Sequence, residues 1–182
     1  MPRAFLIVGV GGAGRGVCNL LKYELEQEFG SAATARTEIL VIDGPEWDPN
    51  YSVAGSYQID TEPGSDEFYR VAVNPWQQIR NLCYGIPDEF TRYLLPWLPR
   101  SEALRIPDAA MGPLQEQWHL VGCPSEFHAY VFVEASEIYG RLQRQYQAAR
   151  ALAGDAGAGD TRVLTVVIGS FAGRTGAGPS SI

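Results

Sequence analysis

Three apolar runs in this chain read as strands: Ala4–Val10, Glu38–Asp43 and Val163–Ile168. Each is short, almost continuous in Val, Ile and Leu, and bounded by glycine or polar residues. That pattern suits strands buried on both faces of a parallel sheet. After the first run the period changes. Val17, Leu21 and Leu25 fall at i, i+4 and i+8, with Leu20 beside them, and predict one apolar face of a helix. Ser125–Leu152 predicts a second long helix, capped by Ser125, with Leu142, Tyr146 and Ala149 on one stripe. Asn74-Pro75 reads as a cap followed by proline at the first helical position, placing Trp76, Ile79 and Leu82 or Cys83 on one face. Glu89–Leu95 predicts a further short helix, closed by Pro96 and Pro99. Gly44–Gly64 reads as a long loop and Gly154–Asp160 as a linker.

Two of the strands run into glycine-rich turns. After Ala4–Val10, the residues Gly9, Gly11, Gly12 and Gly14 spell G-x-G-G-x-G. After Val163–Ile168 comes Ala172-Gly173-Arg174-Thr175-Gly176-Ala177-Gly178. A glycine turn that opens a helix offers unpaired backbone N–H groups at the positive end of the helix dipole, and no Cβ keeps a ligand away. Such a turn suits a phosphate. Asp43 ends the second strand 29 residues after Gly14. This exceeds the spacing of about 20 at which an acid reaches a ribose in a dinucleotide site. Asp43 is a candidate to hold a ribose or a metal-bound water, or it only ends a strand.

The second turn resembles the tubulin signature, small-G-G-T-G-small-G, and the GVGGAG of the first resembles the N-terminal turn of the bacterial cell-division protein FtsZ. The chain is therefore similar to the tubulin/FtsZ superfamily, in a divergent bacterial tubulin-like branch. The resemblance covers about 40 residues well and the stretch between the turns poorly. It implies that GTP or GDP is bound, with Mg²⁺ as an accompanying ion. It puts Gly11, Gly12, Ala13, Gly14, Arg15 and Gly16 near the α-phosphate and base, and Gly173, Arg174, Thr175, Gly176, Ala177 and Gly178 around the outer phosphates. Thr175 supplies the one hydroxyl of that turn. Arg15 and Arg174 stand where the family has small residues. Glu137–Arg141 resembles the family's helix start after the γ-phosphate loop, which would bring Ala135 and Ser136 toward the outer phosphate.

The resemblance further implies an α/β fold with a mostly parallel, Rossmann-like sheet and helices on both faces. Residues 1–182 would form one nucleotide-binding domain, with 44–124 an insertion or irregular region. Catalysis in this family uses a base-reading helix and an acidic loop that follow the signature, and the chain ends at Ile182. The expectation is the N-terminal half of a domain whose intact form hydrolyses GTP as it assembles into cytoskeletal filaments. No catalytic residue is assigned within the chain. Three other readings stay open: an NAD(P)- or FAD-binding oxidoreductase that uses the first turn alone, an adenylating enzyme, and a tubulin-like scaffold without nucleotide.

Composition narrows the partners. With 14 basic and 21 acidic residues the formal charge is −7, which argues against a nucleic-acid backbone as partner. Cys18, Cys83 and Cys123 are odd in number and far apart, which fits a reducing cytoplasm and no structural metal. Cys18 reads as a small packing residue of the first helix. Phe5–Val10 is too short for a membrane span. His119 and His128 have no metal-ligand spacing. Trp76, Trp97 and Trp118 with Tyr84 and Tyr93 predict a satellite core in the middle of the chain.

Overall fold

The computed structural model describes residues 4–32, 34–43, 65–71, 74–106, 129, 131–154 and 162–169. Strand β1 (Ala4–Val10) leads directly into helix α1 (Gly11–Phe29), which returns to strand β2 (Thr37–Asp43). Strand β3 (Phe68–Arg70) follows, then helices α2 (Trp76–Gly85), α3 (Asp88–Leu94) and α4 (Arg100–Ala103), helix α5 (Ala135–Gly154) and strand β4 (Val163–Ile168). The four strands form one sheet in the order β3-β2-β1-β4, and every neighbouring pair is parallel. The fold is therefore α/β with an all-parallel sheet, consistent with a Rossmann-like arrangement.

Side-chain alternation along β1 and β2 builds two cores. Leu6, Val8, Leu40 and Ile42 pack with Ile138, Ala149 and Ala153 of α5 on one face. Ile7, Ile39 and Val41 pack with Cys18 of α1 on the other. Helices thus cover both faces, so the central positions of both strands are apolar on each side. Strands β1 and β4 are direct neighbours, with Val8 opposite Val167 in their register. Helix α1 ends at Gly30, whose φ of +82° allows its N–H to reach Glu26 O.

Two helical faces differ from the pattern read in the sequence. In α1 the buried side chains are Arg15, Cys18 and Asn19, while Val17 and Leu20 are about half exposed, at 47% and 50%. Leu21 and Leu25 keep partly buried positions near Phe5 and Ile7. The helix is rotated toward its polar side because Arg15 and Lys22 find carboxylates beneath it: Lys22 Nζ donates to both oxygens of Glu67 at 2.8 and 2.7 Å. In α5, Ile138, Gln145, Ala149 and Ala153 are buried with Leu142 beside them, and Tyr146 faces outward. Gln145 takes the inward place because its Nε2 donates to Asp66 O at 2.7 Å. Ser125, the expected cap, lies outside the described residues; residues 129 and 131–133 are helical and a turn at Glu134 precedes α5.

The middle of the chain divides. Phe68–Arg70 joins the sheet, whereas α2, α3 and α4 build a separate core on Ile79, Cys83, Leu95 and Ala103, with Trp76 and Trp97 against it. The helix starts one residue later than expected: Pro75 is the capping position, with its carbonyl accepting from Ile79 N at 2.9 Å, and Asn74 Oδ1 accepts from Trp76 N at 3.1 Å just before it. Among the described residues no helix is long and apolar enough to cross a membrane.

Candidate functional site

The sheet order gives the molecule a switch point. From β1 the chain moves to β2 on one side, and from β3 it crosses back to β4 on the other. The strand order therefore reverses at the boundary between β1 and β4, and the crevice at such a reversal is where doubly wound sheets hold ligands. Both glycine-rich turns leave from these two strands.

Each glycine of the first turn has its own physical reason. Gly11 has a φ of +70°, a conformation that side chains disfavour. A Cβ on Gly9 would lie 2.7 Å from Cys18 Sγ, so glycine lets α1 press onto β1. A Cβ on Gly14 would stand 2.6 Å from Ile168 O and 2.9 Å from Gly9 C, so glycine here lets the helix start sit against the ends of both β1 and β4. Gly12 differs. Among the described residues its added Cβ would meet nothing within 4 Å, and its φ is not positive. That side of the turn is open to the described residues. Ala13 is exposed beside it and Gly16 is half-buried.

The helix start carries no acceptor of its own. The capping position is Val10, no side chain caps the helix, and the first turn holds no acidic residue. The N–H groups of the first turn have no intrahelical partners, and the helix dipole makes them electropositive.

Arg15 and Asp43 meet beneath this turn. Arg15 Nη1 lies 3.7 Å from Asp43 Oδ2, with the two side chains 5% and 10% exposed. Asp43 is held at the end of β2, where its carbonyl accepts from Val71 N at 2.9 Å. Asn19, one turn beyond Arg15, is also buried. The sequence reading missed Asn19. The signal available was the polar spacing Arg15, Asn19, Lys22, which repeats on the inward face of α1.

A second polar group lies where β3 meets α5. The Tyr69 hydroxyl donates to Glu134 and the Arg141 guanidinium stands 5.5 Å over the Tyr69 ring. Burial, and then the bond to Glu134, hold the Tyr69 phenol above its ordinary range. Arg141 Nη1 also donates to Ser65 O at 2.6 Å. The Glu137–Arg141 stretch thus fastens α5 to the segment before β3, and Ala135 and Ser136 are exposed at the helix start.

Cys18 is fully buried, and burial pushes its thiol up to about 11, so it packs as a neutral group. Among the described residues no group of three His, Cys, Asp or Glu side chains could hold a metal ion. Gly173, Arg174, Thr175, Gly176, Ala177 and Gly178 lie outside the described residues, as does Cys123. Of the predicted site residues, Arg15 of the first turn meets Asp43, and the strand before the second turn is described as far as Gly169. A Cβ on Gly169 would lie 3.5 Å from Val10 O, against the start of the first turn.

Comparison with known proteins brings no match. No protein-family model fits the chain, and no curated protein or solved structure is significantly similar to it.

Proposed function

We propose that the chain binds a guanine nucleotide, GTP or GDP, in the crevice at the C-terminal ends of β1 and β4, as a tubulin/FtsZ-like protein. Gly11–Gly16 and Asp43 form one side of this site. Gly173–Gly178 form the other, with Thr175 as a hydroxyl for an outer phosphate or a Mg²⁺ shell. The choice of guanine rests on the resemblance of the two turns to that superfamily. The same resemblance implies GTP hydrolysis coupled to filament assembly, in the cytoplasm.

One observation carries the proposal. Strands β1 and β4 are direct neighbours, and the first turn touches the end of the strand from which the second departs, at Gly14 against Ile168 O. A dinucleotide site using only the first turn gives no reason for the strand that precedes the second glycine-rich segment to end beside it. The uncapped helix start and the open side of Gly12 add a place for a phosphate.

Calorimetric titration with GTP, GDP and NAD tests the reading. GTP and GDP bind and NAD does not. The Gly12→Ala variant keeps its fold, with stability equal or higher by about 0.5 kcal/mol because alanine is the better helix former. It loses nucleotide affinity because the new methyl occupies the open side of the turn. NAD binding without a response to GTP would replace this reading with the oxidoreductase one. An unchanged affinity in Gly12→Ala would remove the first turn from the site.

A further inference from the structure

On the α1 face of the sheet, Phe5 and Ile7 of β1 and Leu21, Leu25 and Phe29 of α1 line a cleft of about 460 Å³. It lies toward the N-terminal ends of β1 and β2, away from the crevice at the C-terminal ends of β1 and β4. Its size falls within the range of about 300–1,000 Å³ common to small-ligand sites. Leu21, Leu25 and Phe29 fall at i, i+4 and i+8, so one wall is an apolar row about 12 Å long. Such a row matches a straight hydrocarbon chain better than a compact ring system. Phe29 is 46% exposed, which leaves the end of the row in water.

The polar side of the cleft comes down to one cation. The Thr34 and Thr37 hydroxyls are already bonded, to Ser31 Oγ at 2.8 Å and Ala35 O at 3.2 Å. Arg36 lines the same cleft and is exposed, and no acidic residue lines it. Among the described residues no ion pair or hydrogen bond holds the Arg36 guanidinium. Arg36 also has a φ of +55°, the one positive value on a non-glycine residue among those described. Side chains disfavour this left-handed conformation. It is held in place where Phe5 N donates to Arg36 O at 2.9 Å and Thr37 N to Ala32 O at 2.9 Å. A glycine or asparagine would make the same turn with less strain, so the turn itself gives no reason for arginine. Backbone strain of this kind gathers at ligand clamps.

We propose that this cleft binds a fatty carboxylate, with its hydrocarbon chain along α1 and its carboxylate on the Arg36 guanidinium. The chain takes apolar surface of the cleft out of water, and the planar guanidinium offers paired donors to the carboxylate. The left-handed backbone fixes the direction in which the Arg36 side chain leaves the turn. The site is separate from the nucleotide reading, because no lining residue belongs to either glycine turn.

The test is calorimetric titration of the full chain with hexanoate, octanoate and decanoate below their micelle concentrations, and with octanol as the uncharged match. Binding saturates at a single site, and affinity rises about fourfold for each added methylene. Octanoate binds about fivefold tighter than octanol, the scale of an ion pair open to water. Arg36→Gln and Arg36→Gly erase that preference and leave octanol binding unchanged, whereas Arg36→Lys retains it. Arg36→Gly also raises the melting temperature by about 2–3 °C, since glycine takes the positive φ without strain. Phe29→Ser, at an exposed position, weakens all four ligands. A preference for octanoate that survives in Arg36→Gln would overturn the proposal. So would affinity that ignores chain length, uptake that does not saturate, or no binding of any of the four.

Discussion

Strands β1 and β4 have nearly the same chemistry and opposite surroundings. Both are apolar runs, AFLIVGV and VLTVVI, and they pair in register along the sheet. Strand β1 lies between β2 and β4 with a helix on each face, and Leu6 and Val8 are almost fully buried. Strand β4 is the last strand of the described sheet, and Leu164 and Val167 are 46% and 68% exposed. Helix α5 covers β1 and β2 and reaches β4 at Val163. A run of β-branched residues therefore specifies a strand wherever it falls, but its contribution to stability depends on what lies above and below it. Near their C-terminal ends the two strands share one contact, because α1 begins at the end of β1 and presses on the end of β4 through Gly14.

The largest expected effect comes from forcing the strands apart at that junction. Gly14→Ala sets a methyl against backbone on two sides, at 2.6 Å from Ile168 O and 2.9 Å from Gly9 C. No side chain can yield, so the strand ends or the helix start must shift. We expect a loss of about 3 kcal/mol, measured by urea unfolding with an unchanged m-value. A stability equal to that of the unsubstituted chain would show that the first turn and β4 are not in contact.

A matched pair then sharpens the comparison, since Val8 and Val167 stand opposite each other in the register. Val8→Thr buries a hydroxyl at a site 4% exposed, at a cost of about 1–3 kcal/mol. The same unfolding measurement reads it. The smallest effect belongs to Val167→Thr, within about 0.5 kcal/mol of no change, because the hydroxyl stays in water at a site 68% exposed. Equal losses at the two positions would mean that β4 is covered as fully as β1, and the contrast between the strands would fall.

Much of the architecture was legible in advance because it depends on local pattern. The apolar runs of β1, β2 and β4, the packing role of Cys18 and the abrupt start of α1 at its glycines all follow from neighbours in sequence. Candidate residues Gly11–Gly16 and Asp43 were visible for the same reason, since a strand, a glycine turn and an acid at the end of the next strand are short-range signals. The orientation of α1 was not visible. Periodicity alone favours Val17 and Leu20 as its buried face, yet Arg15, Cys18 and Asn19 face inward. The carboxylates that make this favourable, Asp43 and Glu67, belong to other segments, and Glu67 is 45 residues from Lys22. A charged side chain can be buried only when its partner is already in place, and a linear pattern carries no record of that partner. The same holds for Gln145, which displaces Tyr146 from the inner face of α5 because Asp66 O lies within its reach. Strand identity came from composition, whereas burial of the polar stripe and exposure of β4 came from which segments the parallel crossovers brought side by side.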